Sequence, residues 1–493
     1  MKPRLARPIA LLLAAACAGP AVAQSATAAA VAEHRARELQ RIAGIPGMAV
    51  AVGVRDAVVW AFTLGLANVE TPAPVTGETK FRAASVSKVI TAAALARLAA
   101  AGTIDLDAPV AAWFPALPAP LRDVTPRQLA AHLAGVRHYE RKDFGPEAPG
   151  MRHFDSLEEA LVVFRDDPLV VDPGSEYRYS TYGYTLLGAV MEKASGQPFL
   201  ALVEREVFAP LGMRHSAGDV AQAVVPGRTG FYQQVDGGRL AHPRPEDSSF
   251  RWPGGGLLTT PEDLVRFGLA HLRPGYLPAP LLAELFTPQA LPDGESTGVG
   301  LGWRIGGDAA GRTIRHHSGS MSGARSSLVL YPEAGVAAAL MTNLTGGPPS
   351  VESTLQWLAD PFLPPTAAPG EPPLGAFAYT GRMLGRDLDV PMTGWIHVLP
   401  GPDLVTGQLA LPPAAVERWL AQHYPRTEAL PIAGWERAGD QEGFVLVAPS
   451  GLAFAPVERT ADGFRLTADL AGVRYELEAR HDAHRAGSRG SGR

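Results

Sequence analysis

Cysteine is nearly missing from this sequence, in which Cys17 is the only one among 493 residues. It lies inside an N-terminal pattern typical of a secretory signal peptide: basic residues, the short apolar run Ile9–Ala16 and small residues at Ala21–Ala23. We expect cleavage before Gln24, so that residues 1–23 are lost and the mature protein contains no cysteine. Disulfide bonds, thiolate metal sites and a cysteine nucleophile are then excluded together.

Long apolar runs and an excess of positive charge are also missing. The run Ile9–Ala16 is too short to span a bilayer and no later stretch is long enough, so we expect no membrane span. Leu13–Cys17 faintly resembles a lipoprotein cleavage box, but the Ala21–Ala23 site fits better. We therefore expect a periplasmic or secreted protein rather than one anchored by a lipid on Cys17. A formal net charge of −5 gives no basic surface for nucleic acid, which is not expected as a partner.

The order of the predicted elements indicates an α+β fold. With 46% hydrophobic and 19% charged residues, the chain has the composition of a folded protein. The clearest elements are helices at Thr27–Ala43 and Ala84–Ala101 and strands at Met48–Val54, Ala57–Leu64, Ser326–Tyr331 and Val336–Thr342. We expect one antiparallel sheet built from distant parts of the chain, flanked by helices and carrying a helical subdomain.

A change of pattern divides the chain. The Pro-rich segment 363–372 is typical of a linker and would end a first domain at 24–362. Beyond it, short strands and turns predict a small β-rich domain over 373–480, for which a barrel is one form. The polar tail 481–493 is expected to be disordered. The sequence leaves open the task of the second domain and the oligomeric state.

Ser85-Val86-Ser87-Lys88 forms an S-x-x-K motif. A serine hydroxyl needs a base within hydrogen-bond reach, and residues three apart share a helix face, so Lys88 can lie beside Ser85. Burial and the helix N-terminus would both lower the pKa of that lysine. Lysine is scarce, with five in the whole chain, so a lysine where arginine would serve any surface role is informative. Taken by itself, the motif also fits a solvated lysine near a capping serine.

The segments around this motif are similar to the serine β-lactamase and penicillin-binding-protein superfamily, in its class C, D-peptidase and esterase branch. Phe81–Ala94 resembles its active-site helix, Ile45–Val52 its first strand and Gly102–Val110 the segment that closes the helix. The resemblance runs from about residue 27 to 345. It implies a β-lactamase/transpeptidase-like fold and an acyl-enzyme formed on Ser85, with Lys88 as its first partner.

The second motif of that superfamily is usually Tyr-x-Asn, and the corresponding stretch here is Tyr179-Ser180-Thr181. The resemblance implies that Tyr179 is either a phenolate base or a relay that carries a proton to the leaving group. Thr181 stands in the position of the asparagine and is expected to face the substrate. Because a hydroxyl cannot replace both halves of an amide, lysine positioning and substrate-amide binding are in doubt.

The third motif is usually Lys-Thr-Gly or His-Thr-Gly, and here it is His317-Ser318-Gly319-Ser320. The resemblance implies that the backbone N–H groups of Ser85 and Ser320 form an oxyanion hole. It also implies that His317, Ser318 and Gly319 line the substrate, with His317 offering a pH-dependent charge to a substrate carboxylate.

Two details indicate a branch of the superfamily. His132–Glu140, together with Tyr179-Ser180-Thr181, is similar to the branch that contains the mitochondrial serine β-lactamase-like protein. That similarity implies peptidase-like rather than antibiotic-degrading activity. Within it, we expect His132 to be a structural hydrogen-bonding residue and Arg137 to guide the substrate.

These observations predict an exported serine hydrolase that acts on amide or ester bonds and needs no metal or cofactor. Its substrates would be short peptides, small esters or β-lactams, with peptides and esters favoured. The alternative is a catalytically weak protein that binds peptides or cell-wall fragments, and the replacement by Thr181 motivates it.

Other motifs in the sequence are weaker. Ser296 in Gly294–Gly298 matches the nucleophile elbow of α/β-hydrolases, but nearby prolines and glycines favour a surface loop. His316-His317 has no carboxylate-supported zinc spacing. Gly254–Gly256 is predicted to form a tight turn beside Trp252.

Overall fold

The computed structural model describes residues 20–144, 148, 151–235, 238–345, 351–365, 369–385, 388–401, 404–413, 428–448, 451–470 and 473–482. The apolar run of the predicted signal peptide and most of the predicted disordered tail lie outside the described residues. Within those ranges, every helix is too short or too polar to cross a membrane.

The strands of the N-terminal part, in chain order, are β1 (Gly47–Val54), β2 (Ala57–Asn68), β3 (Ala73–Pro74), β4 (Phe81–Arg82), β5 (Ala217–Gly218), β6 (Tyr232–Val235), β7 (Arg239–Ala241), β8 (Leu257–Thr259), β9 (Arg304–Gly307), β10 (Thr313–Met321), β11 (Ala324–Tyr331), β12 (Val336–Thr342) and β13 (Leu344–Thr345). The C-terminal strands are β14 (Gly375–Gly385), β15 (Leu388–Gly401), β16 (Leu404–Ala410), β17 (Ala429–Ala438), β18 (Gln441–Ala448), β19 (Gly451–Arg459), β20 (Gly463–Leu470) and β21 (Val473–His481).

The α-helices are α1 (Pro20–Ala43), α2 (Ser87–Ala100), α3 (Ala119–Arg122), α4 (Pro126–Ala130), α5 (Leu157–Ala160), α6 (Thr181–Ser195), α7 (Phe199–Val203), α8 (Ala209–Leu211), α9 (Trp252–Gly255), α10 (Pro261–Ala270), α11 (Ala279–Phe286) and α12 (Val351–Ala359). A 3₁₀ turn at Ala84–Val86 leads directly into α2.

The main sheet has the strand order β3-β2-β1-β12-β11-β10-β9, and its neighbours are antiparallel. Its centre joins distant parts of the chain, because β1 pairs with β12 and Met48 lies opposite Thr342. The α+β fold with an antiparallel sheet is thereby confirmed. A tight turn joins β1 to β2, with Arg55 at a φ of 58°.

Both faces of this sheet are buried, and the alternation of side chains along β1 separates two cores. Ala49 and Ala51 point into a core shared with α2, α6 and α10. Val50 and Val52 point into a second core shared with α1, α12 and the outer wall of the C-terminal domain. The central helix α2 is therefore enclosed in the first core: residues 87–96 are all buried, and only the last turn is partly exposed.

The C-terminal strands β14 to β21 form a closed barrel around its own apolar core. All eight of these strands fall within or at the end of the segment 373–480 for which short strands and turns were predicted. The prediction of a β-rich C-terminal domain is confirmed, and each of its described strands has a neighbour on both sides. The stretch that leads into the barrel is tied to it through Gly370, whose N–H donates to Glu442 and whose carbonyl accepts from the Trp435 indole.

A buried arginine joins α1 to the barrel. Arg35 is fully buried, and its guanidinium donates to the carbonyl oxygen of Trp357 at 2.7 Å and to the Glu436 carboxylate at 2.6 Å. These partners belong to α12 and to β17. A charge removed from water needs such pairing, so the contact fixes α1 against both elements.

Replacing Arg35 with Met should lower the free energy of unfolding by about 3 kcal/mol, because the largely buried carboxylate of Glu436 loses its ion-pair partner and the carbonyl of Trp357 loses its donor. Chemical denaturation measures the change. The matched control is Arg41→Met on the same helix, where the pair with Glu38 is exposed and the loss should be under about 0.5 kcal/mol. Equal losses in the two variants would contradict the assigned role.

Candidate active site

Ser85 lies in the 3₁₀ turn before α2, at the N-terminal end of the helical segment. Its side chain is partly exposed, whereas Ala84 and Val86 on either side are buried. Ala84 has a φ of 46°, a left-handed conformation that a non-glycine residue adopts only under strain. The neighbouring carbonyl of Ala83 accepts the hydroxyl of Ser326 at 2.5 Å, so the sheet helps to hold this turn.

Lys88 is completely buried beneath Ser85 and makes three polar contacts. Its Nζ lies 3.4 Å from Ser85 Oγ, 3.0 Å from Thr181 Oγ1 and 2.6 Å from the carbonyl oxygen of Gly254. Burial, and then the nearby charges of Arg304 and Arg251, lower the pKa of Lys88 well below its usual value.

The neutral amine of Lys88 fits these contacts. It has two N–H groups and one lone pair, and the carbonyl of Gly254 can only accept a hydrogen bond. With one N–H directed to that carbonyl and the other to Thr181, the lone pair remains for the hydroxyl proton of Ser85. The geometry therefore allows Lys88 to act as a base toward Ser85.

Tyr179 lies beside the same pair. The Lys88 Nζ is 4.8 Å from the centroid of the Tyr179 ring, and the phenol hydrogen-bonds with Ser85. Burial raises the pKa of Tyr179 above 10, against the lowering effect of the hydrogen bond with Ser85. The phenol is therefore protonated at neutral pH. Of the two roles that the sequence leaves open, this protonation state fits the proton relay better than the phenolate base.

Thr181 does not face the substrate as expected, because its side chain is buried, with 2% of its surface exposed, and contacts Lys88. Thr181 still supports Lys88, because its hydroxyl oxygen accepts an N–H of the lysine. The sequence also missed Gly254, which lies in the one-turn helix α9 rather than in a simple tight turn, and whose carbonyl is the nearest partner of Lys88.

Tyr139 and Arg251 form a further layer behind Thr181. The phenol of Tyr139 hydrogen-bonds with Thr181 and with Arg251, and it is buried enough to raise its pKa to about 12. Arg251 is itself buried and paired with Glu246. No spacing in the sequence connects these residues with the motif, so only the folded chain reveals them.

Two histidines hold the segment that carries Tyr179 and Thr181. His132 Nδ1 accepts the backbone N–H of Ser180 at 3.1 Å, and His138 Nδ1 accepts that of Thr181 at 3.2 Å. Accepting through a ring nitrogen requires the neutral imidazole, and burial keeps the pKa of His132 well below its usual value. The contacts of His132 are those of the structural role predicted for it.

The third motif lies on β10, beside the Ser85 turn. A Cβ on Gly319 would come within 2.5 Å of the Ala83 carbonyl oxygen and 2.9 Å of the Ala84 Cβ, so only glycine allows this approach. Ser320 follows Gly319 at the open edge, where its hydroxyl accepts from Arg325. Ser318 is partly exposed.

His317 cannot supply the charge expected of it. It is buried, and its Nδ1 lies 2.7 Å from the carbonyl oxygen of Ser318, to which it must donate. Burial, and then the charges of Arg304 and Lys88, lower the pKa of His317 well below its usual value. The expectation of a pH-dependent charge at His317 is wrong because the strand places the ring inside the protein.

Arg304 supplies a positive charge instead. It lies on β9, opposite His316 of β10, and is partly exposed. It hydrogen-bonds with the phenol of Tyr177, and its Cζ is 5.9 Å from the centroid of the Tyr179 ring. The sequence has a basic residue, Arg304, shortly before the third motif, but nothing distinguishes it from the many other arginines.

Arg137 is not available to guide the substrate, because all the hydrogen bonds of its guanidinium are made within the protein. Its five N–H groups donate to Asp167, to both oxygens of Asp143, and to the carbonyls of His138 and Val163. The earlier expectation is corrected: Arg137 fixes the loop that carries His138.

The remaining motifs lie away from this site. Ser296 is in an exposed loop, where it forms an isolated bridge with Ala290, and it neither follows a strand nor precedes a helix, as the surface-loop interpretation predicts. Among the described residues, no group of three or more His, Cys, Asp or Glu side chains is arranged to hold a metal ion.

Comparisons with known proteins agree with this fold. The beta-lactamase family model matches residues 32–360, and the chain belongs to that family. Serine beta-lactamase-like protein LACTB, mitochondrial, of Mus musculus is 30% identical over 388 residues, covering 59% of this chain and 70% of that protein. The superfamily and the branch inferred from the motifs are confirmed.

Two other relatives broaden the comparison. Esterase EstB of Burkholderia gladioli is 32% identical over 295 residues, covering 52% of this chain and 74% of that protein. The octameric penicillin-binding protein homologue from Pyrococcus abyssi matches with a TM-score of 0.59 at 22% identity, covering 91% of this chain and 99% of that one. At that identity the match shows the fold alone, and it extends over most of the chain.

Thr181→Val should slow acylation of Ser85 about tenfold or more, because a buried N–H of Lys88 loses its acceptor. The rate of labelling by a fluorophosphonate, followed by intact mass, measures acylation. Thr185→Val is the matched control one turn further along α6, where the hydroxyl donates to the carbonyl of Phe250 instead. A loss of the same size in both variants would show that Thr181 acts only through packing.

Proposed function

We propose that the protein is a serine hydrolase that forms an acyl-enzyme on Ser85 and cleaves amide or ester bonds. The observation that carries the proposal is the buried Lys88 amine, whose remaining lone pair can face the hydroxyl of Ser85. A structural lysine would gain nothing from such burial, since it loses its hydration. An activated nucleophile requires it.

In the first step, Ser85 Oγ attacks the carbonyl carbon of the substrate while Lys88 takes the hydroxyl proton. The carbonyl oxygen becomes an oxyanion, which accepts hydrogen bonds from the backbone N–H groups of Ser85 and Ser320. The bond to the leaving group then breaks, and Tyr179 passes a proton from Lys88 to the departing nitrogen or oxygen. Water attacks the acyl group by the reverse route and frees Ser85.

The preferred substrate carries a carboxylate. Arg304 lies close enough to Lys88 and His317 to lower the pKa of both, so its charge acts inside the site. A guanidinium binds a carboxylate through paired hydrogen bonds. Ser318 and Gly319 would line the site on the neighbouring strand β10. The relative named as an esterase supports ester cleavage, and a relative named as a D-aminopeptidase, from Gluconobacter oxydans, supports cleavage of peptides.

The alternative of a catalytically weak binding protein rested on the replacement of asparagine by threonine. The hydroxyl of Thr181 contacts Lys88, so that departure does not remove the support of the lysine. No other observation favours the alternative, which becomes one outcome of the labelling experiment below.

We further propose that residues 1–23 are removed on export and that the mature protein begins at Gln24, in the periplasm or outside the cell. Cleavage there would leave most of α1, including Arg35, in the mature protein. The hydrolase domain would then span 24–362, followed by the linker 363–372 and the barrel domain 373–480.

A fluorophosphonate should add a single adduct to the mature protein, and Ser85→Ala should abolish it. In this reaction the Oγ–P bond forms and fluoride leaves, so no substrate needs to be known. Intact mass reads the adduct and also gives the N-terminus. Ser296→Ala is the control and should label like the parent protein. A folded parent that does not label would favour the binding protein, and labelling retained in Ser85→Ala would point to Ser296.

The labelling rate should rise with pH and level off below the ordinary range of a lysine pKa, because only the neutral amine of Lys88 accepts a proton and its pKa is lowered. Rates measured across about pH 5–10 locate the rise, and Lys88→Ala should remove it. A rise confined to pH values above the usual tyrosine pKa would instead assign the base to Tyr179, whose pKa is raised.

A further inference from the structure

The two backbone N–H groups proposed for the oxyanion hole belong to distant parts of the chain. Ser85 lies in the turn before α2, and Ser320 lies near the end of β10. Both donors stabilise an oxyanion only if each lies about 2.7–3.1 Å from the same oxygen, so the spacing between the two segments has to be fixed. Lys88 does not set this spacing, because its contacts join the Ser85 turn to α6 and α9.

One level of the β10–β11 hairpin is held directly against the Ser85 turn. Gly319 packs against the carbonyl of Ala83, and the hydroxyl of Ser326 donates to the same carbonyl at 2.5 Å. Gly319 and Ser326 lie opposite each other in the ladder, so both contacts act at the same level. Ser320 lies beyond that level, toward the turn that joins β10 to β11. A second point of attachment at this turn would fix the direction of its N–H.

Arg82 on β4 supplies an attachment at the turn. Its buried guanidinium donates to the carbonyl oxygen of Ser322 at 2.7 Å and to the carboxylate of Asp219 at 2.7 Å. Arg82 Cζ lies 3.7 Å from the centroid of the Phe231 ring. Phe231 also packs against the turn, since a Cβ on Gly323 would come within 2.2 Å of Phe231 Cβ. Arg82 therefore connects the strand that leads to the nucleophile with the turn that follows Ser320.

Glu246 holds the same turn through the side chain of Ser322. The Ser322 hydroxyl donates to one oxygen of the Glu246 carboxylate, and Arg251 donates to the other. Burial raises the pKa of Glu246, but Arg251 and then the Ser322 hydroxyl outweigh it, and the pKa lies below its usual value. The carboxylate is therefore ionised at neutral pH. Arg251 belongs to the layer behind Thr181, so Glu246 also joins the turn to the support of Lys88.

We propose that Arg82 and Glu246 are positioning residues for the oxyanion hole, because by holding Ser322 they fix the Ser320 N–H relative to the Ser85 N–H. The proposal rests on the proposed function, in which these two N–H groups bind the oxyanion. Both side chains act through the turn rather than on the substrate. Hydrogen bonds from a guanidinium and to a carboxylate are stronger than those between neutral groups, so the turn is held more rigidly than neutral side chains would hold it.

Ser322→Ala removes the hydroxyl that Glu246 holds and leaves the Arg82 contact, which goes to the backbone, in place. We expect labelling of Ser85 by a fluorophosphonate to slow about tenfold, which is less than the loss of about a hundredfold or more when an oxyanion donor is removed outright. Ser195→Ala is the matched control, because Ser195 is also partly exposed and its hydroxyl donates to the carbonyl of Met191 within α6. This control should label at the parent rate.

Phosphorus NMR of the labelled proteins separates positioning from a loss of stability. The phosphoryl oxygen of the adduct accepts the two N–H groups, so the phosphorus shift of the folded parent adduct should differ from that of the denatured adduct. In Ser322→Ala the folded adduct should move toward the denatured value. Ser322→Thr keeps a hydroxyl and should restore the parent shift, and Ser195→Ala should leave it unchanged.

Arg82→Lys tests the other attachment. A lysine keeps the charge beside Asp219 but lacks the planar group that donates to Asp219 and to Ser322 in two directions, so rate and shift should change as in Ser322→Ala. If Arg82→Lys does not fold, the Ser322 variants decide alone. The parent rate and the parent shift in Ser322→Ala, or in folded Arg82→Lys, would overturn the proposal.

The two proposals fail in different ways. Parent values in these variants would leave the hydrolase intact and remove the positioning role. Equal phosphorus shifts for the folded and denatured parent adducts would remove the oxyanion hole and the positioning role with it, while Ser85 would remain an activated nucleophile. Absence of labelling in the folded parent would remove the hydrolase itself.

Discussion

Burial of the Lys88 amine is the constraint on which the rest of the site depends. Moving an ammonium group out of water costs several kcal/mol, so an amine without exposed surface is favoured in its neutral form and with its N–H groups bonded. Three separate segments meet this requirement: the Ser85 turn, the start of α6 at Thr181, and the one-turn helix α9 at Gly254. Each segment must lie within hydrogen-bond distance of Lys88 Nζ, and the surrounding fold positions all three.

The fold supplies that placement by surrounding α2 on all sides. Small side chains at Ala92, Ala93 and Ala94 allow the helix to lie deep in the core between the sheet and the helical subdomain. The same close packing presses the Ser85 turn against β10 and β11, where Gly319 and Ser326 contact Ala83. The left-handed φ of Ala84 is therefore retained by packing, and it presents Ser85 to solvent while Lys88 stays inside.

Threonine in place of the superfamily's asparagine separates two functions of that position, which are positioning the lysine and binding the substrate amide. An amide accepts and donates at once, whereas Thr181 accepts the Lys88 N–H and hydrogen-bonds with Tyr139. The Tyr139 phenol is in turn bonded to the buried Arg251. Lys88 is thus still supported, directly by Thr181 and indirectly by Tyr139 and Arg251 behind it. Contact with a substrate amide is not expected, because the threonine side chain is buried.

The sequence predicted those parts of the molecule that depend on local pattern. Apolar periodicity located β1, β11 and β12, and the S-x-x-K spacing placed Lys88 beside Ser85, because both follow from the geometry of a single element. The errors concern burial and partners. Arg137 and His317 were expected to contact the substrate, but the exposure of a side chain is decided by elements far away in the sequence. Arg304 and Gly254 were missed for the same reason, since nothing local relates them to Lys88.

The position of the barrel limits what it can contribute to chemistry. Alternation along β1 sends Ala49 and Ala51 toward α2, and Val50 and Val52 toward α1, α12 and the barrel wall. The sheet therefore stands between the core that contains the Ser85 helix and the core against which the barrel packs. The ion pair between Arg35 of α1 and Glu436 of the barrel also lies on that far side of the sheet. Among the described residues, the barrel packs on the side of the sheet away from Ser85, where it buries the apolar face that α1 and α12 leave uncovered.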